Sequence, residues 1–249
     1  MDNLEQALFC CRVSEIVYNR PPTNIVKLIN QYKEINNYAF GSKDGTEYIL
    51  FTIGNTKYVV FRGTEPNQME DIKADLKVWK TTSDTEGKVH SGFKNALDLV
   101  WNNISGWLQK QTSAGKVIFC GHSLGGALAT LAASRVTNSE AYTFGSPKVG
   151  NRSWCRKQKF NHYRFVNNND VVPKVPFFLL GYKHYGNLCY INHYGNIRKP
   201  TWWQRTKDSF RGRWAAIKKK QFFDGIYDHN ISSYKKKINN VLCGNSKMS

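Results

Sequence analysis

Ser123 stands in the run Gly121-His122-Ser123-Leu124-Gly125-Gly126. A serine hydroxyl is a weak nucleophile and attacks a carbonyl only when a neighbouring base takes its proton. Glycines two residues before and two after such a serine suit a turn so tight that a Cβ on either would strike the opposite arm. In front lie Val117, Ile118 and Phe119, a β-branched and aromatic run; behind, Ala127, Leu128, Leu131 and Ala132 recur at helical spacing. Lys116 to Arg135 therefore reads as strand, turn and helix, with Gly126 letting the helix lie close to the strand. The turn holds Ser123 at the strand's C-terminal edge and at a helix N-terminus, where the N–H of Leu124 faces the oxyanion formed on attack. One such donor is worth about 3 kcal/mol. The competing reading is a glycine-rich connection with a capping serine.

The base and the acid that orients it must come from elsewhere in the chain. In hydrolases with this elbow the order is serine, carboxylate, histidine. Downstream carboxylates are Glu140, Asp170, Asp208, Asp224 and Asp228. Asp170, in NNNDVVP, follows the strand pattern Tyr163 to Val166, so a strand end delivers it beside the elbow; its bland alternative is an Asx-turn residue ahead of a proline. The run Asn167 to Asn169 reads as composition more than function. His162 precedes Asp170 and drops out on order. His229, in a loop entering a last helix, is favoured over His184 in GYKHYGN, and chain order alone leaves both open. Either could be a hydrogen-bonded structural histidine. His122 packs on the elbow in this reading and moves no proton.

The elements that must position these groups alternate. A helical stretch Leu4 to Tyr18 ends before Pro21-Pro22. Strand patterns Tyr48 to Ile53 and Lys57 to Phe61 flank a hairpin turn at Gly54-Asn55. A helix from Phe93 to Gln111 precedes the elbow, and strands near Ala141 to Phe144, Tyr163 to Val166 and Leu188 to Ile191 follow it. Strands interleaved with helices predict an α/β fold with a central, mostly parallel sheet and catalytic loops at the strands' C-terminal ends. The 249 residues fit one domain with a helical extension over 1–45 and an insertion over 198–225. The start lacks the basic and apolar segments of a secretory signal, and no apolar run is long enough to span a bilayer, which predicts a cytoplasmic or peripheral membrane location, export by another route aside. Six cysteines without metal spacing read as free thiols, with no metal or other cofactor expected.

Charge is lopsided. Residues 150–249 carry 20 Lys and Arg against 4 Asp and Glu, whereas residues 1–149 are nearly balanced. Such an excess faces something anionic.

Six motifs in order, FRGT (Phe61 to Thr64), VHSGF (Val89 to Phe93), GHSLGGALA (Gly121 to Ala129), FGSPKVGN (Phe144 to Asn151), NDVVPKVP (Asn169 to Pro176) and DHNISSY (Asp228 to Tyr234), resemble the class 3 lipases, a family of the α/β-hydrolase fold that includes the fungal triacylglycerol lipases. The resemblance implies Ser123 as nucleophile, Asp170 as acid and His229 as base, with Thr64 joining Leu124 in the oxyanion hole. His184 falls where the family often has a non-catalytic histidine near the site, and His122 and His184 are the candidates for supporting roles. The substrate implied is a lipid ester: an acylglycerol, a phospholipid cleaved in the manner of a phospholipase A1, or a soluble short-chain ester.

Two segments depart from a plain hydrolase. Pro66 to Trp79 places Met69, Ile72, Leu76 and Trp79 on one helical face, where the fungal members carry a lid. It is more charged than such lids, so a fixed amphipathic helix is as good a reading as a mobile one. Residues 198–220 hold nine Lys or Arg and one acid, Asp208, with Trp202, Trp203, Phe210 and Trp214 interleaved. Basic helices with tryptophans suit the headgroup layer of an anionic membrane; equally, the aromatic face could pack on the core. A different class of reading, a non-catalytic binder of membrane or nucleic acid on a lipase scaffold, is weakened by the presence of every expected catalytic residue. No obligate protein partner is implied.

Overall fold

The computed structural model of the chain describes residues 2–19, 22–64, 79–111, 115–176, 178–198 and 228–245. Of the stretch 66–79 read as a lid, all but Trp79, and of the basic segment 198–220, all but Arg198, lie outside the described residues.

An eight-stranded sheet carries the molecule. In chain order its strands are β1 (Asn36–Lys43), β2 (Thr46–Ile53), β3 (Thr56–Phe61), β6 (Val117–His122), β7 (Ser139–Phe144), β9 (Asn161–Asn167), β11 (Asn187–Ile191) and β12 (Ile197–Arg198), and they lie side by side in that same order. β3, β6, β7, β9 and β11 run parallel, while β1, β2 and β12 pair antiparallel at the edges. Parallel strands need long crossovers, and helices supply them. These are α3 (Ser91–Lys110), α4 (Leu124–Ser134) and α5 (Arg152–Lys157), with α1 (Asp2–Ile16), α2 (Pro22–Asn30) and α6 (Ile231–Asn245) at the ends of the chain.

Period-two alternation sends neighbouring residues of each central strand to opposite faces. Tyr58, Val60, Ile118 and Cys120 face a layer built on Phe9, Val13 and Ile238, from α1 and α6. Val59, Phe61, Val117 and Phe119 face Leu97, Ile104, Leu128 and Leu131 of α3 and α4. Both faces are buried, which explains why the central strands read as continuous apolar runs. No helix among the described residues is long and apolar enough to cross a membrane.

Expectation and structure differ at the N-terminus. Residues 36–43 form strand β1, not part of a helical extension, because Asp44 (φ 46°) and Gly45 (φ 79°) make a two-residue hairpin turn into β2. Nor is α1 an appendage. Ala7, Cys10, Cys11 and Val13 are fully buried, and Glu15 bonds Ser232 and Lys235 of α6 at 2.5 Å each. A second, four-stranded sheet was also unforeseen: β4 (Lys80–Thr82), β5 (Lys88–His90), β8 (Gly150–Asn151) and β10 (Tyr182–Lys183), in the order β10-β8-β5-β4. Strands of two and three residues leave no periodicity to read.

Two buried histidines tie stability to pH. His90 caps α3 by accepting the Phe93 N–H at Nδ1, and burial pushes its pKa down to about 4. Burial, then the nearby Arg164 charge, pushes His162 down to about 3. Both are therefore neutral when folded and take a proton near pH 6.5 when unfolded. Stability should be complete above that pH and fall as the pH drops toward 4 and then 3. His90→Asn keeps a cap acceptor but cannot titrate, so urea denaturation of this variant should show a pH dependence shallower by about one proton over this range; an unchanged slope would contradict the assignment.

Candidate active site

The elbow forms as its residue types require. Ser123 has φ 56° and ψ −125°, a conformation strained for any side chain other than hydrogen. It persists because the surroundings fix it. The Ser123 N–H donates to the Phe144 carbonyl on the neighbouring strand at 3.0 Å, and the Gly126 N–H returns to the Ser123 carbonyl at 3.0 Å. A Cβ on Gly121 would run into the Gly125 carbonyl, and one on Gly125 would lie 3.0 Å from the Arg62 carbonyl carbon. The end of β3 is thus in contact with the elbow. Gly63 repeats the contact, since a Cβ there would meet the His122 carbonyl at 2.5 Å. Thr64 follows directly, and the first N–H of α4, that of Leu124, has no intrahelical acceptor. The structure sets Thr64 and Leu124 on segments that touch at Ser123.

Asp170 lies three residues past β9 and is fully buried. Both its oxygens stand 2.9 Å from Nδ1 of His229, which is itself buried. A carboxylate can only accept, so Nδ1 carries a proton and donates it to Asp170. His229 Nε2 is buried and has no hydrogen-bond partner among the described residues, the Ser123 hydroxyl included. An orphaned buried nitrogen is costly, by about 1–3 kcal/mol. Three contacts bring this pair to the elbow. The His122 and His229 rings lie 4.5 Å apart; Gly145, one residue past the acceptor of the Ser123 N–H, has φ 62°; and a Cβ there would fall 2.7 Å from Asp170 Oδ2 and 2.8 Å from His229 Nδ1.

Around the pair is a shell that sequence reading did not find. Tyr234, one turn into α6, donates its hydroxyl to Asp170 Oδ2 at 2.5 Å and accepts the Asn167 N–H at 3.0 Å, while the Val172 N–H donates to Asp170 Oδ1 at 2.9 Å. Burial and then the Asp170 charge hold the Tyr234 pKa well above that of a free phenol, so it stays a donor. The asparagine run, read as composition, is a clamp: Asn167 Nδ2 donates to the Asp228 carbonyl at 2.8 Å, Asn168 Nδ2 to Asp228 Oδ2 at 3.1 Å, and the Asn169 N–H to the same oxygen at 3.1 Å. Lys237 closes it, 2.6 Å from Asn167 Oδ1 and 3.4 Å from Asp228 Oδ1. The loop carrying Asp170 is thereby fastened to the residue before His229. Tyr234 lies inside the DHNISSY motif, but an aromatic that donates looks like one that only packs.

His122 has a fixed tautomer. Its Nε2 donates to the His229 carbonyl at 2.7 Å, and its Nδ1 accepts the Tyr18 hydroxyl at 3.1 Å. Burial, then the neighbouring His229, drives its pKa well below 6.5. It therefore positions the His229 backbone as a neutral ring, with its one proton committed to that carbonyl. His184 is not brought to Asp170; its ring Nε2 donates to the Pro173 carbonyl at 2.7 Å, and burial keeps it neutral.

The chain matches the family model described as Lipase (class 3) over residues 58–180. It is 37% identical over 106 residues to a secreted mono- and diacylglycerol lipase of Fusarium solani, covering 39% of this chain and 32% of that protein. It is 34% identical over 148 residues to a lipase of Rhizopus niveus, covering 53% and 37%. The chain thus spans about a third of the length of these relatives. Among solved structures, a lipase of Rhizopus microsporus var. chinensis superposes with TM-score 0.67 at 27% identity, over 76% of this chain and 75% of that one.

If Tyr234 serves chiefly Asp170, Tyr234→Phe should lower stability by about 2 kcal/mol in urea denaturation. In a double-mutant cycle with Asp170→Asn, most of that loss should disappear. Full additivity would show that the hydroxyl acts elsewhere.

Proposed function

We propose that the chain is a member of the class 3 lipase family, with the α/β-hydrolase fold, and that it hydrolyses lipid esters, acylglycerols first among them, through Ser123, His229 and Asp170. The observation that carries this reading is the buried imidazole of His229, with Nδ1 held by Asp170 and Nε2 left unbonded. His90 and His162 are as deeply buried and also leave one ring nitrogen unbonded, but among the described residues His229 is the histidine whose other nitrogen is held by a carboxylate. An unsatisfied lone pair beside a strained serine is what a general base needs.

The steps follow from that arrangement. His229 Nε2 takes the Ser123 proton as Oγ attacks the ester carbonyl, and Asp170 stabilises the imidazolium without itself being protonated. The N–H groups of Leu124 and Thr64 receive the oxyanion, aided by the N-terminal dipole of α4. His229 then protonates the departing alcohol, leaving an acyl group on Ser123. Water, activated by the same nitrogen, releases the fatty acid. Water is the co-reactant that balances these steps: its oxygen ends in the fatty acid, one proton leaves with the alcohol, and Ser123 is regenerated.

The lipid character of the substrate is supported by the family and by the relatives named above, which are lipases. Cleavage of phospholipids in the manner of a phospholipase A1 and hydrolysis of short soluble esters use the same machinery and differ only in the acyl groove. Ser123→Ala should lower turnover of nitrophenyl fatty esters by about 10⁴-fold or more without unfolding the protein. His229→Ala should cost as much, and the double variant no more, because the two act as a unit. Turnover near the starting rate in Ser123→Ala would overturn the proposal.

A further inference from the structure

Two residues past α1, the side chain of Tyr18 reaches the back of the Ser123 elbow. Its direction is set by a tight exit from the helix. The Tyr18 N–H donates to the Glu15 carbonyl at 3.2 Å, and Asn19 donates both its backbone N–H and its Nδ2 to the Ile16 carbonyl, at 2.9 and 3.0 Å. These bonds satisfy carbonyls that the end of a helix otherwise leaves open. The helix in turn is fixed: Cys10, Cys11 and Val13 are fully buried, and Glu15 bonds Ser232 and Lys235 of α6 at 2.5 Å each. Tyr18, half-buried, is thus aimed by a rigid element.

The Tyr18 hydroxyl is wedged between two catalytic segments. It stands 3.1 Å from Nδ1 of His122, and a Cβ on Gly63 would fall 2.3 Å from it, so the hydroxyl fills the space that glycine leaves beside the turn carrying Thr64. Arg62 holds the ring from another side, its guanidinium 5.5 Å from the ring centroid and paired with Glu47 at 3.0 Å. The protons along this chain of contacts follow from donor and acceptor types. The His229 carbonyl only accepts, so His122 Nε2, 2.7 Å away, carries the single proton of the neutral ring. Nδ1 is then a lone pair, and the Tyr18 hydroxyl donates to it. The opposite tautomer would set two acceptors against each other at 2.7 Å.

We propose that Tyr18 is a positioning residue for the hydrolysis: its hydroxyl holds the His122 ring from behind, so that the far end of the ring fixes the His229 backbone. An imidazole bonded at one nitrogen can pivot about that bond, whereas one bonded at both keeps its plane and its tautomer. His229 has its own ring oriented by Asp170, but the imidazole reaches the serine only if its main chain is also in place. Tyr18 supplies that second restraint at one remove, without touching substrate or reacting atoms. This rests on the reading of Ser123 and His229 as a hydrolytic pair. It gives the N-terminal helix a part in catalysis that its packing alone does not require.

The test compares variants of the full chain, each checked for folding by its circular-dichroism melt. Tyr18→Phe keeps the ring and loses the hydroxyl; on nitrophenyl butyrate its kcat should fall about tenfold while KM stays within about twofold. Tyr58→Phe removes a different hydroxyl that meets α1, bonded to Gln6 Oε1 at 3.3 Å, and should keep kcat within about twofold. His122→Gln offers an amide that can donate to the His229 carbonyl with no imidazole to hold, so adding Tyr18→Phe to it should cost less than about twofold more. In spectra of protein labelled with 15N-histidine, the His122 Nε2 proton should exchange with water about tenfold faster in Tyr18→Phe than in the wild type. An unchanged kcat or an unchanged exchange rate in Tyr18→Phe would overturn the proposal. So would an equal kcat loss in Tyr58→Phe, or the full loss persisting in the His122→Gln background. Absence of hydrolysis by the wild type would count instead against the catalytic reading, and the ring-proton exchange would still decide whether Tyr18 holds His122.

Discussion

A carboxylate buried without any exposure must be paired or protonated, and Asp170 is paired with the imidazole of His229. Most of the architecture around the site can be understood as keeping that contact dry and in register. Tyr234 and the Val172 N–H fill the remaining acceptor capacity of the carboxylate. The asparagine clamp on Asp228 fixes the two loops to each other, and His122 holds the His229 carbonyl. With those restraints the imidazole has one direction left in which to act.

The same constraint explains why the ends of the chain belong to the core. His229 sits between a parallel sheet and α6, and α6 is held by α1 through Glu15 and through the packing around Val13 and Ile238. Tyr18, just past α1, reaches His122 directly. The first and last helices therefore cooperate to place a residue that neither contains. Parallel strands contribute the rest: β3, β6, β7 and β9 all end at the same edge, so the segments bearing Thr64, Ser123, Gly145 and Asp170 meet there without further device.

What the sequence disclosed and what it concealed divide along physical lines. The elbow was legible because steric demand leaves only glycine at 121 and 125, a local rule that shows in residue type. Asp170 and His229 were legible because chain order and a strand pattern narrow the choice, with the family resemblance deciding between His229 and His184. The central strands were legible through apolar runs. Strand β1 was not, because NNYAFGSK is polar and its register is broken between Asn36 and Ala39. The Asn167–Asn169 clamp was hidden because side-chain amides in a loop look alike whether they face water or a buried carboxylate. Tyr234 and Gly145 were hidden for a related reason: their partners lie 64 and 25 residues away from them, at Asp170, and only the fold brings them together.

The central claim is that the Ser123 hydroxyl becomes a nucleophile because His229 can take its proton. Labelling with a nitrophenyl phosphonate, followed by peptide mass spectrometry, tests this without a lipid substrate. The account predicts a single stoichiometric adduct on Ser123, formed at least a thousandfold more slowly in His229→Ala. An adduct on another residue, or an unchanged rate in that variant, would contradict it.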